Sequence, residues 1–153
     1  MSQPASRILA VDPGEKRIGL AISDPTRTIA QPLKVIKHVS RLIDAAAIAQ
    51  EAVEQEAGLI LVGQPLDSDG QVGPMARKSI RLAQVIQTQT NLQVVLWDET
   101  GSTTDARAVR LQSRTRRSQR GGHLDDLAAA IILQSYLDVH KNQHRDLISN
   151  GEG

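Results

Sequence analysis

Ile8-Leu9-Ala10-Val11 is apolar without a break and runs directly into Asp12-Pro13-Gly14. A strand is apolar at every position when both of its faces are covered. The run therefore predicts a central strand of a layered α/β fold, ended by the Pro-Gly turn. A second apolar run, Arg17 to Ser23, returns after the four residues Pro13 to Lys16, a length and composition suited to a hairpin loop. Asp24-Pro25-Thr26 turns the chain again, and Thr28 to Ile36 is a third strand that Pro32 assigns to a sheet edge.

The apolar pattern then switches to helical spacing. Ser40 is positioned to cap a helix over Arg41 to Ala57, with Leu42, Ala46, Ala49 and Val53 recurring along one stripe and Gly58 as the stop. Leu59 to Val62 is a short apolar strand ending in Gly63-Gln64-Pro65, and Leu66 to Gly73 is a polar loop. A second helix is expected from Pro74 to Thr90, with Ile80, Ala83 and Ile86 inward. Leu92 to Trp97 is the fifth strand and ends in Asp98-Glu99. Thr103 to Gln112 reads as helix, Ser113 to Gly122 as a basic loop, and Leu124 to Leu137 as the last helix; from Val139 the chain turns polar and is expected to fray. Three antiparallel strands followed by alternating helix and strand predict an α/β fold with a mixed five-stranded sheet, three antiparallel strands and then two parallel, flanked by helices. Residues 1–153 are read as a single domain with a real core, and 1–6 and 140–153 as loose tails.

The core has to be built from Ile, Leu, Val and Ala, because the chain holds Trp97, Tyr136 and no Phe. That scarcity excludes a base-stacking platform, which needs several exposed rings. The absence of Cys excludes thiolate catalysis and Cys-based zinc sites and fits a reducing cytosol. No stretch approaches the roughly 20 apolar residues of a membrane span, and Met1 to Ser6 carries no signal-peptide core. A cytoplasmic protein with no membrane partner is expected. His38, His123, His140 and His144 show no zinc-like spacing.

In open α/β sheets, ligands bind beyond the carboxyl ends of the strands. If the first, fourth and fifth strands run parallel, Asp12 and the Asp98-Glu99 pair share one edge. Asp24 ends an antiparallel strand and belongs at the opposite edge, so it is set aside as a ligand. The last helix opens with Leu124-Asp125-Asp126-Leu127 and continues into Ala128-Ala129-Ala130. Acids in a first turn favour the helix dipole in any case. The alanines, however, let the helix lie close to the sheet and bring this turn towards the strand ends. Asp125 and Asp126 stand about 100° apart around the axis, so one of the two faces the site, and spacing does not say which. Carboxylates alone suit hard cations such as Mg²⁺ or Mn²⁺, and a pair of such ions supports phosphodiester cleavage. Arg107, Arg110, Arg114, Arg116, Arg117 and Arg120 fall just before that helix with no acid among them. Arginine suits bidentate phosphate contacts, so a polyanion held there would pass the acids, bound in a salt-dependent and largely sequence-blind way. Lys16 and Arg17 could position phosphate at the first hairpin.

Four stretches, in this order, carry a resemblance: Leu9-Ala10-Val11-Asp12-Pro13-Gly14-Glu15-Lys16-Arg17-Ile18-Gly19 through Pro25; Val62-Gly63-Gln64-Pro65-Leu66-Asp67 through Gly70; Trp97-Asp98-Glu99 with Thr103 and Ala106; and Gly122-His123-Leu124-Asp125-Asp126 through Leu137. Over residues 7–138 the chain resembles the YqgF/RuvX family of RNase H-like pre-16S rRNA nucleases, also described as Holliday-junction-resolvase-like. The resemblance implies an RNase H-like fold and a hydrolase acting on ester bonds. It also implies Asp12, Glu99 and Asp125 as the catalytic, metal-binding acids, with Asp98 and Asp126 as second choices. One departure stands out: the family commonly has Arg then Leu after the Asp-Glu pair, where this chain has Thr100-Gly101. The Arg107 to Arg120 stretch would compensate if that Arg holds phosphate.

The leading expectation is a Mg²⁺- or Mn²⁺-dependent nuclease on structured RNA, acting in 5′-end maturation of the small-subunit rRNA precursor. A resolvase of branched DNA is the alternative; it requires a dimer, and no sustained heptad is visible, so monomer and homodimer both stay open. An actin-like ATPase shares the early strand-turn-strand but needs two such domains. A non-catalytic nucleic-acid-binding factor would keep the arginines without needing Asp12.

Overall fold

The computed structural model describes residues 6–65, 71–98 and 124–151, except for the side chains of 124–126 and 142–151. The opening apolar run is β1, Arg7–Pro13, and it is central as its composition requires. On one side it pairs antiparallel with β2 (Arg17–Ser23), which pairs antiparallel with β3 (Ala30–Lys37). On the other it pairs parallel with β4 (Ala57–Gln64), and β4 with β5 (Gln93–Asp98). The strand order is β3-β2-β1-β4-β5, the predicted mixed sheet.

Successive residues of a strand face opposite sides, and here both sides are apolar. Leu9, Val11, Leu20, Ile60 and Val62 pack against Ala45, Ile48 and Ala52 of α1 (Arg41–Glu54) and against Leu82, Ala83 and Ile86 of α2 (Pro74–Gln89). Ile8, Ala10, Ala21, Leu59 and Leu61 pack on the other side against Ala129, Ala130, Ile132, Leu133 and Leu137 of α3 (Leu124–Gly151). The result is three layers. Burying a side chain such as Ile60 or Leu61 completely contributes about 1.5–3 kcal/mol, and both are fully buried.

Several boundaries and one face differ from the sequence reading. β3 starts at Ala30 rather than Thr28, because the Thr28 and Ile29 N–H groups donate to the Asp24 carboxylate and cannot enter a ladder. Pro32 sits on the edge strand beside a register shift, as expected. Ser40 caps α1 by accepting from the Ile43 N–H at 3.2 Å, as predicted. The helix nevertheless ends at Glu54, and Glu56, with φ 56°, makes the left-handed reversal that Gly58 was expected to make. Gly58 lies inside β4 instead, where a Cβ would stand 2.1 Å from the Ser6 hydroxyl oxygen. Of the expected inward stripe of α1 only Ala49 is buried; Ala46 is exposed, Leu42 is 61% and Val53 70% exposed. Asp44 sets that rotation by accepting from the Val39 N–H at 3.0 Å and bonding His38, while buried Glu51 pairs with Lys34 at 3.0 Å. α2 ends at Gln89 with Ala83 and Ile86 buried, but Leu82 replaces the half-buried Ile80 in its centre. Finally, the helix expected to end at Leu137 runs to Gly151, and 138–150 contains neither Gly nor Pro to break it. The helix expected over Thr103 to Gln112 and the basic loop to Gly122 lie outside the described residues.

Glu56 adopts a conformation that favours glycine and forms no ion pair among the described residues. Glu56→Gly should raise stability by up to about 1 kcal/mol, or about 2–4 °C in melting temperature; thermal melts of the two proteins check this.

Candidate active site

Asp12 is the next-to-last residue of β1. Alternation decides where it points. Ile8 and Ala10 belong to the α3 side of the sheet and Leu9 and Val11 to the other, so Asp12 belongs to the α3 side. Across β2 its partner is Gly19. On β4, one step beyond the paired Val11 and Val62, stands Gly63, and Gly63 pairs with Trp97 of β5. Gly19 and Gly63 share the side of Ala21 and of Leu59 and Leu61, which is also the α3 side. The cross-strand neighbours of Asp12 on both flanking strands are thus glycines. Glycine inside an apolar strand marks a place where a ligand or backbone comes close; that signal was present in both runs and was not used in reading the sequence.

The Pro13-Gly14 turn holds this strand end open. A Cβ at Gly14 would stand 2.3 Å from the Arg17 carbonyl oxygen, so only glycine fits the turn. Lys16 and Arg17 are exposed beside it, and Arg17 pairs across the ladder with Lys37.

Asp98 is the last residue of β5 and pairs with Gln64. Its neighbours separate by the same rule: Val94 and Leu96 pack on the α1–α2 side, Val95 and Trp97 on the α3 side. Asp98 therefore belongs to the α1–α2 side, opposite Asp12. Glu99, next in sequence, lies outside the described residues, as do Arg107, Arg110, Arg114, Arg116, Arg117 and Arg120.

Asp125 and Asp126 stand in the first turn of α3. The middle of that helix is tied to the edge where β1 begins. Gln134 accepts from the Ala30 N–H at 2.9 Å and donates to the Thr28 carbonyl at 3.1 Å, while Tyr136 and Leu137 line a cavity with Ile8 and Arg27. From Gln134 back to Asp125 is about 13.5 Å of helix, and from Ile8 to Asp12 is about 13 Å of strand. An α3 axis antiparallel to β1 would bring the backbone at Asp125 level with the Asp12 end of the sheet. Trp97 braces the far side of α3, donating its indole N–H to the Ser135 hydroxyl at 2.9 Å and meeting the Tyr136 ring edge-on at 5.1 Å. No group of three or more metal-ligating side chains assembles among the described residues.

Asp24 is occupied elsewhere, as its strand direction predicts. Its Oδ1 accepts from the Thr28 and Ile29 N–H groups at 2.7 and 2.8 Å, and its Oδ2 from the Thr26 hydroxyl. The Ile29 N–H, followed by that hydroxyl, holds its pKa at about 2, below the 3.8 of an unstructured chain.

A mixed sheet in this order, layered between helices and with an acid at the end of its first strand, defines an RNase H-like fold of the resolvase type. The RuvC of Thermus thermophilus bound to a Holliday junction superposes with a TM-score of 0.56 at 16% identity, covering 90% of this chain and 96% of that one. The fowlpox virus Holliday junction resolvase superposes with a TM-score of 0.52 at 19% identity, covering 87% and 98%. Residues 6–139 match the family model described as "RuvX: Holliday junction resolvase". A protein of Thermoanaerobacter pseudethanolicus is 40% identical over 90% of this chain and 99% of its own length. One of Myxococcus xanthus is 36% identical over 92% and 93%. Both carry the name "Putative pre-16S rRNA nuclease". The chain belongs to the RuvX family.

The depressed Asp24 carboxyl carries a pH signature. Its folded pKa lies below its unfolded one, so its contribution to stability is complete above about pH 4 and disappears as pH falls through 2. A carbon-detected NMR titration should put its midpoint near 2, and Asp24→Asn should flatten the loss of stability in that window.

Proposed function

We propose that this chain is a metal-dependent nuclease that hydrolyses phosphodiester bonds in structured RNA, in 5′-end maturation of the pre-16S rRNA in the cytoplasm. The observation that carries the reading is Asp12, partly exposed at the central strand end between two glycines, on the side of the sheet that α3 covers. The name borne by the T. pseudethanolicus and M. xanthus relatives supports the RNA substrate.

Asp12, Glu99 and Asp125 would hold Mg²⁺ or Mn²⁺, hard cations that take carboxylate oxygens. Alternation supports Glu99 over Asp98, because Asp98 belongs to the other side of the sheet. A cation pair there would supply an activated water and charge stabilisation for the leaving oxygen. The chain's own part is positional. Gly19 and Gly63 leave room for a phosphodiester beside the Asp12 carboxylate. Lys16, Arg17 and the Arg107, Arg110, Arg114, Arg116, Arg117 and Arg120 set would hold the flanking phosphates.

The family description also favours a second reading, resolution of branched DNA by a homodimer. Solution mass separates the two, since a strict monomer cannot cut two strands symmetrically.

With labelled rRNA precursor and Mn²⁺, Asp12→Asn, Glu99→Gln and Asp125→Asn should each lower cleavage by more than about a hundredfold while circular dichroism stays unchanged. Asp98→Asn should retain far more activity than Glu99→Gln. Undiminished cleavage by Asp12→Asn sinks the assignment.

A further inference from the structure

A cavity of about 240 Å³ opens beside the β1–β2 turn, on the α1–α2 side of the sheet. Pro13, Gly14, Ile18 and Leu82 form its apolar wall; Arg41, Lys78, His38 and Ser40 supply its polar groups. Neither Arg41 nor Lys78 has a carboxylate partner among the described residues. The N-terminus of α1 opens into the same space. There the Ile43 and Asp44 N–H groups are taken by Ser40, at 3.2 and 2.8 Å, while those of Arg41 and Leu42 precede the first intrahelical bond and add the positive end of the helix dipole.

Asp44 also borders the cavity, and its charge opposes an anion. Both of its oxygens are engaged, one by the Val39 N–H and the other by His38 Nδ1. Two cations without a carboxylate partner among the described residues, together with a helix N-terminus, outweigh one buried, hydrogen-bonded carboxylate. The cavity is smaller than the roughly 300–1,000 Å³ of cofactor pockets, so it suits a phosphate with its adjoining sugar rather than a whole nucleotide cofactor.

Its position gives the occupant a source. Pro13 and Gly14 follow Asp12 directly, and the His38 N–H donates to the Lys16 carbonyl at 2.9 Å, fastening the hairpin turn to the cavity wall. Exposed Lys16, Arg17 and Lys37 continue the basic rim around the turn, with Glu15 the one acid in the loop from Pro13 to Lys16. A strand crossing the end of β1 from the Asp12 side meets this rim next.

We infer that the cavity between the β1–β2 turn and the N-terminus of α1 binds a backbone phosphate of the nucleic-acid strand, held by Arg41 and Lys78, next to the strand end that carries Asp12. This rests on the nuclease reading above, but its test does not require cleavage. Fluorescence anisotropy in EDTA would follow binding of a labelled rRNA-precursor fragment and of a four-way DNA junction across a salt series.

The double variant Arg41→Gln/Lys78→Gln should bind about tenfold more weakly, with the slope of log K against log salt reduced by about 1. Lys141→Gln, at the opposite edge of the sheet, should change neither. Should the double variant fail to fold by circular dichroism, Lys78→Gln alone reads the same slope. Wild-type affinity and slope in these variants overturn the inference, as does a wild-type protein that binds neither nucleic acid. Calorimetry with inorganic phosphate and a nucleoside monophosphate separates the sources. Binding of either that needs Arg41 and Lys78, with strand binding unaffected, assigns the cavity to a free anion and overturns the strand assignment. Strand binding that depends on these cations in a protein that never cleaves with Mn²⁺ upholds the cavity and rejects the nuclease.

Discussion

β1 is sealed on both faces and paired on both edges, and that constraint orients everything around Asp12. The strand shares ladders with β2 and β4 while alternate residues enter two separate cores. A slip of one residue would exchange Leu9 and Val11 with Ile8 and Ala10 and turn Asp12 to the other side of the sheet. The two cores forbid that slip, because Ala10 belongs to the core that holds Ala129 and Ala130 of α3 whereas the larger Leu9 and Val11 belong to the core under α1 and α2. Packing thus decides to which side of the sheet the carboxylate belongs.

Where burial was uniform, the sequence was easy to read: β1, β2 and β4 are unbroken apolar runs, and their parallel or antiparallel sense followed from the lengths of the links between them. Where several groups competed for the same backbone, it was harder. The start of β3 depended on Asp24 taking two N–H groups from it, and the rotation of α1 on Asp44 anchoring to Val39 and His38. A stripe through Leu42 and Val53 is as regular as the buried one through Ala45, Ile48 and Ala52; periodicity cannot choose between two such stripes, and a buried carboxylate did. Glu56 in a glycine-like conformation is invisible to any residue-type rule.

The candidate site divides in the same way. An acid ending an apolar run was visible at once, and so was the edge that Asp24 occupies. The distinction between Asp98 and its successor needed the parity of β5. That parity is hidden in Gln93-Val94-Val95-Leu96-Trp97, where every residue after the first is apolar, and only the partition of Val94 and Leu96 from Val95 and Trp97 reveals it.

The edge of the sheet also separates charge by side. Asp12 belongs to the α3 side, whereas Arg41 and Lys78 line a cavity on the α1–α2 side, with the Pro13-Gly14 turn between. A lysine or arginine placed directly against Asp12 would neutralise the carboxylate and compete with a metal ion for its oxygens. Cations placed across the turn can attract a polyanion over several ångströms from the other side of the sheet, at a range where screening in salt is incomplete. A turn too tight for any side chain at Gly14 keeps the carboxylate and the two cations adjacent and on opposite sides of the sheet.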